Sequence, residues 1–526
     1  MMMKHIFLYG SPGAGKSSVG KALAERLRLP FIDLDLEIEK SVGKTIPHIM
    51  EEEGESVFRD LETKTLKRVA NESRRVIALG GGALLREENR RVAEECGQVV
   101  LLETKIEALV ERLQGDQNQR PLLACNLEEK LQILLEQRKA HYDSFPIRIS
   151  QSGQSIGEFQ KTPEQIALEI QQKLNLLCVH LADGSIYDVI VQTNGFDSLG
   201  GFLRERELDN PAVIIADETV ANLYAEGAVK SIEGADYKVH VIPFPAGEKS
   251  KNIDTVMRLW REMLKIGLDR KSTVVALGGG VTGDLAGFVA STFMRGINWV
   301  GVPTTLLAMV DSSLGGKGGF DLPEGKNLIG SFHSPKMVLV DPRMLRTLPE
   351  EELRSGLAEV VKHGIISDPE LFISCGRGMD WIKDNFEEII KRAMAVKIKI
   401  IEEDPYEKGL RASLNLGHTV GHAVELVSDF QLRHGEAVAI GMVAEAKLAE
   451  RLTAADKGLA DAVAGTLSAL ELPIEIPKEL PRNELIRAMR VDKKRSNGVV
   501  RFALPVTIGK VELVDVTDLE NVLEDE

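Results

Sequence analysis

The sequence has four cysteines, Cys96, Cys125, Cys178 and Cys375, and no two of them form a C-x-x-C pair. That excludes a disulfide framework and a cysteine zinc site, and predicts reduced thiols. No apolar run reaches the ~18–20 residues that a membrane span needs. The apolar part of Met1 to Tyr9 is too short for a signal peptide, and a glycine loop follows at once. The expected location is the cytoplasm, with no membrane partner. Positive charge is also short: 65 Lys+Arg stand against 80 Asp+Glu, a formal charge of −15. A nucleic-acid or anionic-membrane binder needs a basic surface, so neither partner is expected. Small anionic substrates remain open, because a pocket can be locally basic. No fixed-period repeat or low-complexity tract stands out. What remains is an ordinary globular composition, 43% hydrophobic and 28% charged over 526 residues. At roughly 100–200 residues per domain, that length predicts about three domains.

Apolar runs and turn residues divide the chain. Ile6–Tyr9, Val76–Leu79 and Val99–Leu102 are separated by helical patterns, the first from Lys16 to Leu27. Strands alternating with helices predict a parallel α/β sheet. Ser150 to Lys161 is rich in Ser, Gly and Gln. Thr162-Pro163-Glu164-Gln165 then opens a helix to about Leu174, with Thr as cap, Pro in the first position and Gln three residues on. This sets a first domain at residues 1–175. Five further apolar runs follow, Tyr187–Val191, Ala212–Ala216, Val239–Ile242, Thr273–Leu277 and Trp299–Val302. They predict a second α/β domain over 176–348. From Pro349 to about Leu470 helical patterns dominate, and Val499–Leu504 with Lys510–Val514 predicts a short hairpin. Residues 349–526 are therefore expected to be mostly helical.

Gly10-Ser11-Pro12-Gly13-Ala14-Gly15-Lys16-Ser17 fits G-x-x-x-x-G-K-[ST] between a strand and a helix. Such glycines turn backbone N–H groups toward phosphate oxygens, and the helix N-terminus adds partial positive charge. Lys16 is expected to reach the outer phosphates and Ser17 the Mg²⁺. Asp33-x-Asp35 places two carboxylates on one side of an extended segment, one for Mg²⁺ through water and one to accept a hydroxyl proton. Phe58-Arg59-x-x-Glu62 puts a cation and an acid on one helical face. Arg120-Pro121-Leu122-Leu123 follows the polar stretch Gln114–Gln119 and reads as a lid carrying an arginine; Arg138 is a second candidate anion clamp. With Gly80-Gly81-Gly82, this set resembles the shikimate kinase family over residues 1–175. The resemblance implies a P-loop kinase fold and a Mg²⁺-ATP site of Gly13, Ala14, Gly15, Lys16, Ser17, Ser18, Asp33 and Arg112. It also implies a shikimate site of Asp35, Arg59, Gly80, Gly81, Gly82 and Arg138. Asp35 is then the base and Arg120 the charge-stabilising lid residue.

Gly278-Gly279-Gly280-Val281-Thr282-Gly283 fits G-x-G-x-x-G after a strand, yet no acid stands about 20 residues on to hold a ribose. Asp217 and Glu248, near other strand ends, are substitutes. Asn415-Leu-Gly-His418-Thr-Val-Gly-His422 sets two imidazoles at i and i+4, able to share a metal. His434-Gly435-Glu436 follows, and Glu359 lies on a helix of otherwise apolar face. These four point to a metal site without deciding which of them ligate. Arg295, Lys317, Lys326, Lys397, Arg411 and Lys493-Lys494 sit in loop-like contexts and predict a pocket for a phosphorylated, carboxylated substrate.

Residues 178–526 closely resemble the 3-dehydroquinate synthase family. The carrying strings are Gly278–Asp284, Arg295-Gly296, Pro303 to Ser313, Gly316-Lys317, Gly325-Lys326-Asn327, Ala358 to Lys362, Asn415-x-x-His418-x-x-x-His422, His434-Gly-Glu and Asp492-Lys493-Lys494. The resemblance implies a Rossmann-like α/β domain followed by a helical metal domain. It makes Glu359, His418 and His434 the ligands of zinc or cobalt, and His422 a hydrogen-bonding catalytic residue rather than a ligand. NAD would meet Asp217, Glu248, Lys251, Gly279, Gly280, Val281, Asp284, Thr304, Thr305, Thr347 and Glu352. Substrate would meet Arg295, Asp311, Lys317, Lys326, Asn327, Lys362, Lys397, Arg411, Asn415 and Lys493, with Lys317 also catalytic. Thr219 is a departure, since many family members carry Asn there. A homodimer through this part is implied too.

Together the two resemblances imply a two-activity enzyme of the shikimate pathway, whose steps are not consecutive, so channelling is not expected. Two rivals stay open. One is a kinase for another polyol acid fused to a metal-dependent polyol dehydrogenase. The other makes the P-loop part a nucleotide-binding regulator, against which Asp35 and Arg59 argue, because a sensor needs neither acceptor base nor carboxylate clamp.

Overall fold

Short aliphatic runs supply the strands, and the runs that end at Asp33, Gly80, Asp217 and Gly278 lead into candidate site residues. The computed structural model describes residues 5–114, 127–151, 161–174, 176–181, 184–404, 409–452, 455–491 and 499–523. The expected lid with Arg120, most of the Ser150–Lys161 stretch, and Lys493 with Lys494 lie outside the described residues. The chain divides into two compact units, Met1–Leu176 and Leu177–Glu526.

In the first unit, β1 (His5–Tyr9), β2 (Phe31–Asp33), β3 (Val76–Ala78), β4 (Gly97–Glu103) and β5 (Arg148–Ser150) form a parallel sheet of order β2-β3-β1-β4-β5. From β1 the chain goes to the edge strand β2, returns to β3 beside β1, and then adds β4 and β5 on the other side. The carboxyl end of β1 is thus a switch point, where open α/β sheets bind ligands. Helix Lys16–Leu27 begins there and buries Val19, Leu23, Ala24 and Leu27, an apolar stripe at helical spacing. One expectation is corrected. Asp33-x-Asp35 is not extended: β2 ends at Asp33, whose side chain accepts the Asp35 and Leu36 amides and caps helix Leu34–Val42. A carboxylate with two orphan helix N–H groups ahead of it ends the strand in this way.

In the second unit, β6 (Leu177–His180), β7 (Ile186–Val191), β8 (Ala212–Asp217), β9 (Val239–Phe244), β10 (Thr273–Gly278), β11 (Asn298–Pro303) and β14 (Met337–Val340) make one sheet of order β6-β7-β14-β11-β10-β8-β9. The pairs are parallel except β6 with β7. The chain passes from β8 outward to β9, then crosses to β10 on the other side. This puts a second switch point between Asp217 and Gly278. Two hairpins, β12 (Lys317–Leu322) with β13 (Gly325–Phe332) and β15 (Val500–Thr507) with β16 (Lys510–Val516), stand apart from that sheet.

The helical part is centred on helix Glu350–Ser367, which is buried continuously from Ser355 to Ile366. A helix buried nearly all round must pair any charge it carries, and here Glu359 and Lys362 pair with each other while burial holds His363 down to about 3, neutral. Glycines bring its neighbours close. A Cβ on Gly435 would lie 2.0 Å from the Ser355 carbonyl oxygen, and one on Gly441 would lie 1.9 Å from that of Gly417. Helix His434–Leu452 therefore touches the backbone of helix Glu350–Ser367 on one side and the start of helix His418–Val427 on the other.

Candidate active sites

At the end of β1, Gly13 and Gly15 hold φ of 81° and 72°, the left-handed region that glycine adopts at little cost. They turn the loop into the N-terminus of helix Lys16–Leu27. Lys16 Nζ donates to the Gly10 and Ser11 carbonyls at 3.0 and 2.9 Å, inside the loop it closes. The Ser17 hydroxyl donates to Asp33 Oδ2, so both candidate Mg²⁺ residues meet. Arg112 Nη1 lies against the same loop, 3.4 Å from the Gly13 oxygen, and donates to Gln151 Oε1 at 2.9 Å. The glycines, the helix terminus and the Ser17–Asp33 pair suit a magnesium nucleotide.

Beside this cradle, Gly80, Gly81 and Gly82 thread between side chains. A Cβ on Gly80 would lie 2.8 Å from Glu62 Oε1 and 2.9 Å from Asp35 Oδ1; one on Gly82 would lie 3.0 Å from Arg59 Nη2. Arg59 Nη1 donates to Glu62 Oε2 at 3.0 Å, and Arg138 Nη1 donates to the Gly81 oxygen at 2.8 Å. Asp35, Arg59, Arg138 and the triplet are thus brought together. Glu62 is fully buried. Burial pushes its carboxyl up, against the pull of Arg59. It braces Arg59 from behind.

In the second unit, Gly278 closes β10, and Gly279 caps helix Gly280–Thr292, which also contains Val281 and Asp284. A Cβ on Gly279 would lie 3.1 Å from Thr305 Cγ2, so the glycine leaves backbone open at a helix N-terminus. The Thr304 amide donates to the Gly278 oxygen at 3.0 Å. Across the switch point, Asp217 caps helix Glu218–Glu233 through the Thr219 and Val220 amides. On that helix the Tyr224 hydroxyl shares a hydrogen bond with Thr347. Lys251 Nζ pairs with Asp284 Oδ2 and donates to Asn327 Oδ1, each at 2.6 Å. Burial raises the carboxyls of Glu248 and Asp284. Glu352 lies farther out, paired with Arg433 at 3.2 Å. The glycine turn and the flanking polar groups fit a dinucleotide.

A cleft of about 620 Å³ joins this region to the helices, lined by Asp284, Asp311, Lys317, Asn327, Lys362, Lys397, Arg411, Asn415 and His418. Six of these nine side chains are cationic or amide, in a chain of net charge −15. Lys397 is buried and bonds both the carbonyl and the carboxylate of Asp311. Burial alone would raise Asp311, but Lys397 outweighs it and holds the acid down to about 2. Arg295, by contrast, is exposed with φ 70° at the end of the turn Phe293–Arg295 and does not line this cleft.

Beside the cleft, which His418 lines, Glu359, His418 and His434 offer ligand atoms within 4.8 Å of one another. Glu359 Oε1 is buried without a hydrogen-bond donor, 3.5 Å from His418 Nε2 and 3.6 Å from His434 Nε2. A carboxylate oxygen facing two imidazole nitrogens is a donor set for zinc or a similar ion. Burial and then the Lys362 ammonium hold His418 down to about 3, which leaves it neutral. Burial opposes protonation of His434, but Glu359 and Glu425 outweigh it and lift it to about 9, so a bound cation displaces a proton there. His422 stands beside the other two rings, 5.2 Å from His418 and 6.1 Å from His434 between centroids, and is exposed. The i,i+4 pair therefore does not close the compact set; the third member comes from the next helix. Sequence reasoning missed two carboxylates. Glu445 accepts the Gly417 amide at 2.6 Å and the Val420 amide at 3.3 Å, capping the His418 helix from a neighbour. Glu425 faces His434, and its only sequence signal is its place seven residues after His418, on the same helix face.

The shikimate kinase family profile matches residues 12–175. Profiles for the N-terminal and C-terminal parts of 3-dehydroquinate synthase match residues 241–355 and 356–495. A 3-dehydroquinate synthase of Nostoc punctiforme is 41% identical over 348 residues, 65% of this chain and 96% of that protein. One from Pelobacter propionicus is 42% identical over 349 residues, 65% of this chain and 97% of that protein. Among solved structures, a 2-deoxy-scyllo-inosose synthase complexed with carbaglucose-6-phosphate, NAD⁺ and Co²⁺ is similar at a TM-score of 0.60 and 28% identity, covering 65% of this chain and 96% of that one.

Proposed function

The chain belongs to the 3-dehydroquinate synthase family, with a shikimate kinase domain in the same polypeptide, and from that premise we propose how its residues divide two reactions. It is a bifunctional enzyme of aromatic amino acid biosynthesis. One reaction phosphorylates shikimate with ATP to 3-phosphoshikimate. The other converts 3-deoxy-D-arabino-heptulosonate 7-phosphate to 3-dehydroquinate and phosphate. Residues 1–175, 176–348 and 349–526 serve as working domain boundaries.

In the kinase domain, bound Mg²⁺-ATP supplies the transferred phosphoryl group. Lys16 and the loop amides hold its phosphates, while Ser17 and Asp33 hold the ion. Arg59 and Arg138 bind the shikimate carboxylate against Gly80–Gly82. Asp35 takes the proton of the acceptor hydroxyl, and Glu62 keeps Arg59 aimed at the pocket.

In the synthase part, zinc or cobalt on Glu359, His418 and His434 would polarise a substrate hydroxyl, and NAD at the β8–β10 switch point would take and return a hydride. The chain's own residues bind and orient. Lys317, Lys397 and Arg411 neutralise the phosphate and carboxylate in the cleft, and Asn415 and Asn327 fix hydroxyl groups. Lys362, buried against Glu359, meets the substrate next to the ion. His422 exchanges a proton with a substrate hydroxyl at the open side. The observation that carries this reading is the meeting of Glu359 Oε1 with two Nε2 atoms beside a cationic cleft that His418 lines. Phosphate release from the heptulosonate phosphate tests it, with dependence on NAD and metal and no build-up of NADH. NADH accumulating with a simple polyol would instead favour the dehydrogenase reading.

Among the described residues no helix is long and apolar enough to cross a membrane. We place the enzyme in the cytoplasm, as a homodimer. Leu328 and Phe332, on one face of β13, are 59% and 76% exposed, with Met294 also exposed. They offer an apolar strip for a second copy. A Phe332→Asp chain that still sediments as a dimer would move the interface elsewhere.

A further inference from the structure

The two histidines facing Glu359 are not equivalent. Each turns Nε2 toward Glu359 Oε1. A neutral ring offers the Nε2 lone pair only when its proton sits on Nδ1, and the partner of Nδ1 decides that. His418 Nδ1 lies 3.1 Å from the Leu416 carbonyl oxygen, a neutral acceptor two residues back. His434 Nδ1 lies 3.4 Å from Glu425 Oε2, a carboxylate. Glu425 is reached through the fold. It projects from helix His418–Val427, whereas His434 opens the helix that Gly441 packs against that element. Its other oxygen faces Lys326 Nζ at 3.8 Å, and Lys326 in turn lies 4.4 Å from the Phe430 ring centroid. The carboxylate is thus flanked on both sides and stays beside the ring.

We propose that Glu425 is a positioning residue of the metal centre. It accepts the Nδ1 proton of His434, fixes the tautomer and ring orientation that present Nε2, and strengthens that nitrogen as a donor. This rests on the reading that Glu359, His418 and His434 hold the ion. Outer carboxylates of this kind are worth about 10–100-fold in metal affinity. One rival stands close by. His422, Glu425 and His434 also offer ligand atoms within 4.8 Å, so Glu425 could itself be a ligand.

The test is metal affinity, measured by chelator competition and by the Co²⁺ absorption spectrum on the full chain. The variants are Glu425→Gln, which keeps an oxygen for the N–H, and Glu425→Leu, which keeps none; NAD binding by each variant reports that its synthase part is folded. The proposal predicts weaker binding in both, about 10–100-fold for Leu and less for Gln, with the Co²⁺ spectrum of the parent protein retained. Unchanged affinity in the variants overturns it. A loss in Glu425→Gln as complete as in His434→Ala also overturns it, because Glu425 would then be a ligand. If the parent protein itself binds no metal, the reading of the centre fails first and the proposal fails with it.

Discussion

In residues 5–174 the phosphate cradle is backbone. Gly13 and Gly15 bend it into the N-terminus of helix Lys16–Leu27. In residues 177–523 the corresponding charges are side chains: Lys317, Lys362, Lys397 and Arg411 line the cleft from separate elements, and the candidate ligands come from three helices. A backbone cradle depends on a few contiguous residues and one strand end. A side-chain cluster depends on helix packing, here on contacts as close as Gly435 against Ser355. The first kind of site tolerates change around it; the second should fail when distant packing fails.

The sharpest separation comes from His434→Ala. Removing one of three ligands should abolish metal retention and phosphate release from the heptulosonate phosphate. Shikimate-dependent ADP formation by the same chain should be unchanged. Metal content and the two assays read this, and full occupancy in the variant would refute the ligand set. Asp35→Asn is the mirror experiment. Kinase turnover should fall about 10²–10⁴-fold with ATP binding retained and the synthase untouched; near-normal turnover removes Asp35 as base.

Gly435→Ala probes the packing claim. Its Cβ would strike the Ser355 carbonyl, a backbone atom that cannot swing aside. Overpacking of this kind costs about 1–3 kcal/mol. Denaturant unfolding should show an earlier synthase transition, with the kinase transition in place; equal shifts in both would show that the two units do not respond separately.

The smallest effect concerns Glu62, whose carboxyl burial holds above its ordinary value. An acid raised on folding stabilises the folded form while protonated. That contribution is complete below the unfolded value of about 4.3 and is lost as pH climbs through the raised one. Kinase-unit stability should therefore decline across that window, and Glu62→Gln should flatten the decline. An unchanged slope in the variant assigns it to other groups.

The same contrast decided what the sequence made legible. Helix Lys16–Leu27 and strands β1, β8, β10 and β11 lie where glycine punctuation and apolar runs predict them. Hairpin β12–β13 is not legible in the sequence, because its glycines and charges hide the alternation of a strand. Asp33-x-Asp35 departs from the extended expectation because spacing alone does not tell a strand from a helix cap. Helical spacing alone leaves four metal candidates open; the family resemblance singles out Glu359, His418 and His434, and packing brings these three together with His422 beside them. Glu425 and Glu445 act across helices; Glu445 carries no local pattern, and Glu425 only its helical spacing from His418.

The account stands or falls on one chain holding two separate chemistries, and the kinase acceptor is the most direct point to test. The measurement is ADP release from Mg²⁺-ATP by the purified protein, with shikimate, without it, and with gluconate as control. The account predicts ADP formation that depends on shikimate and ignores gluconate. ATP binding without shikimate-dependent turnover would contradict it, and would make the P-loop unit a regulator or a kinase for another acceptor.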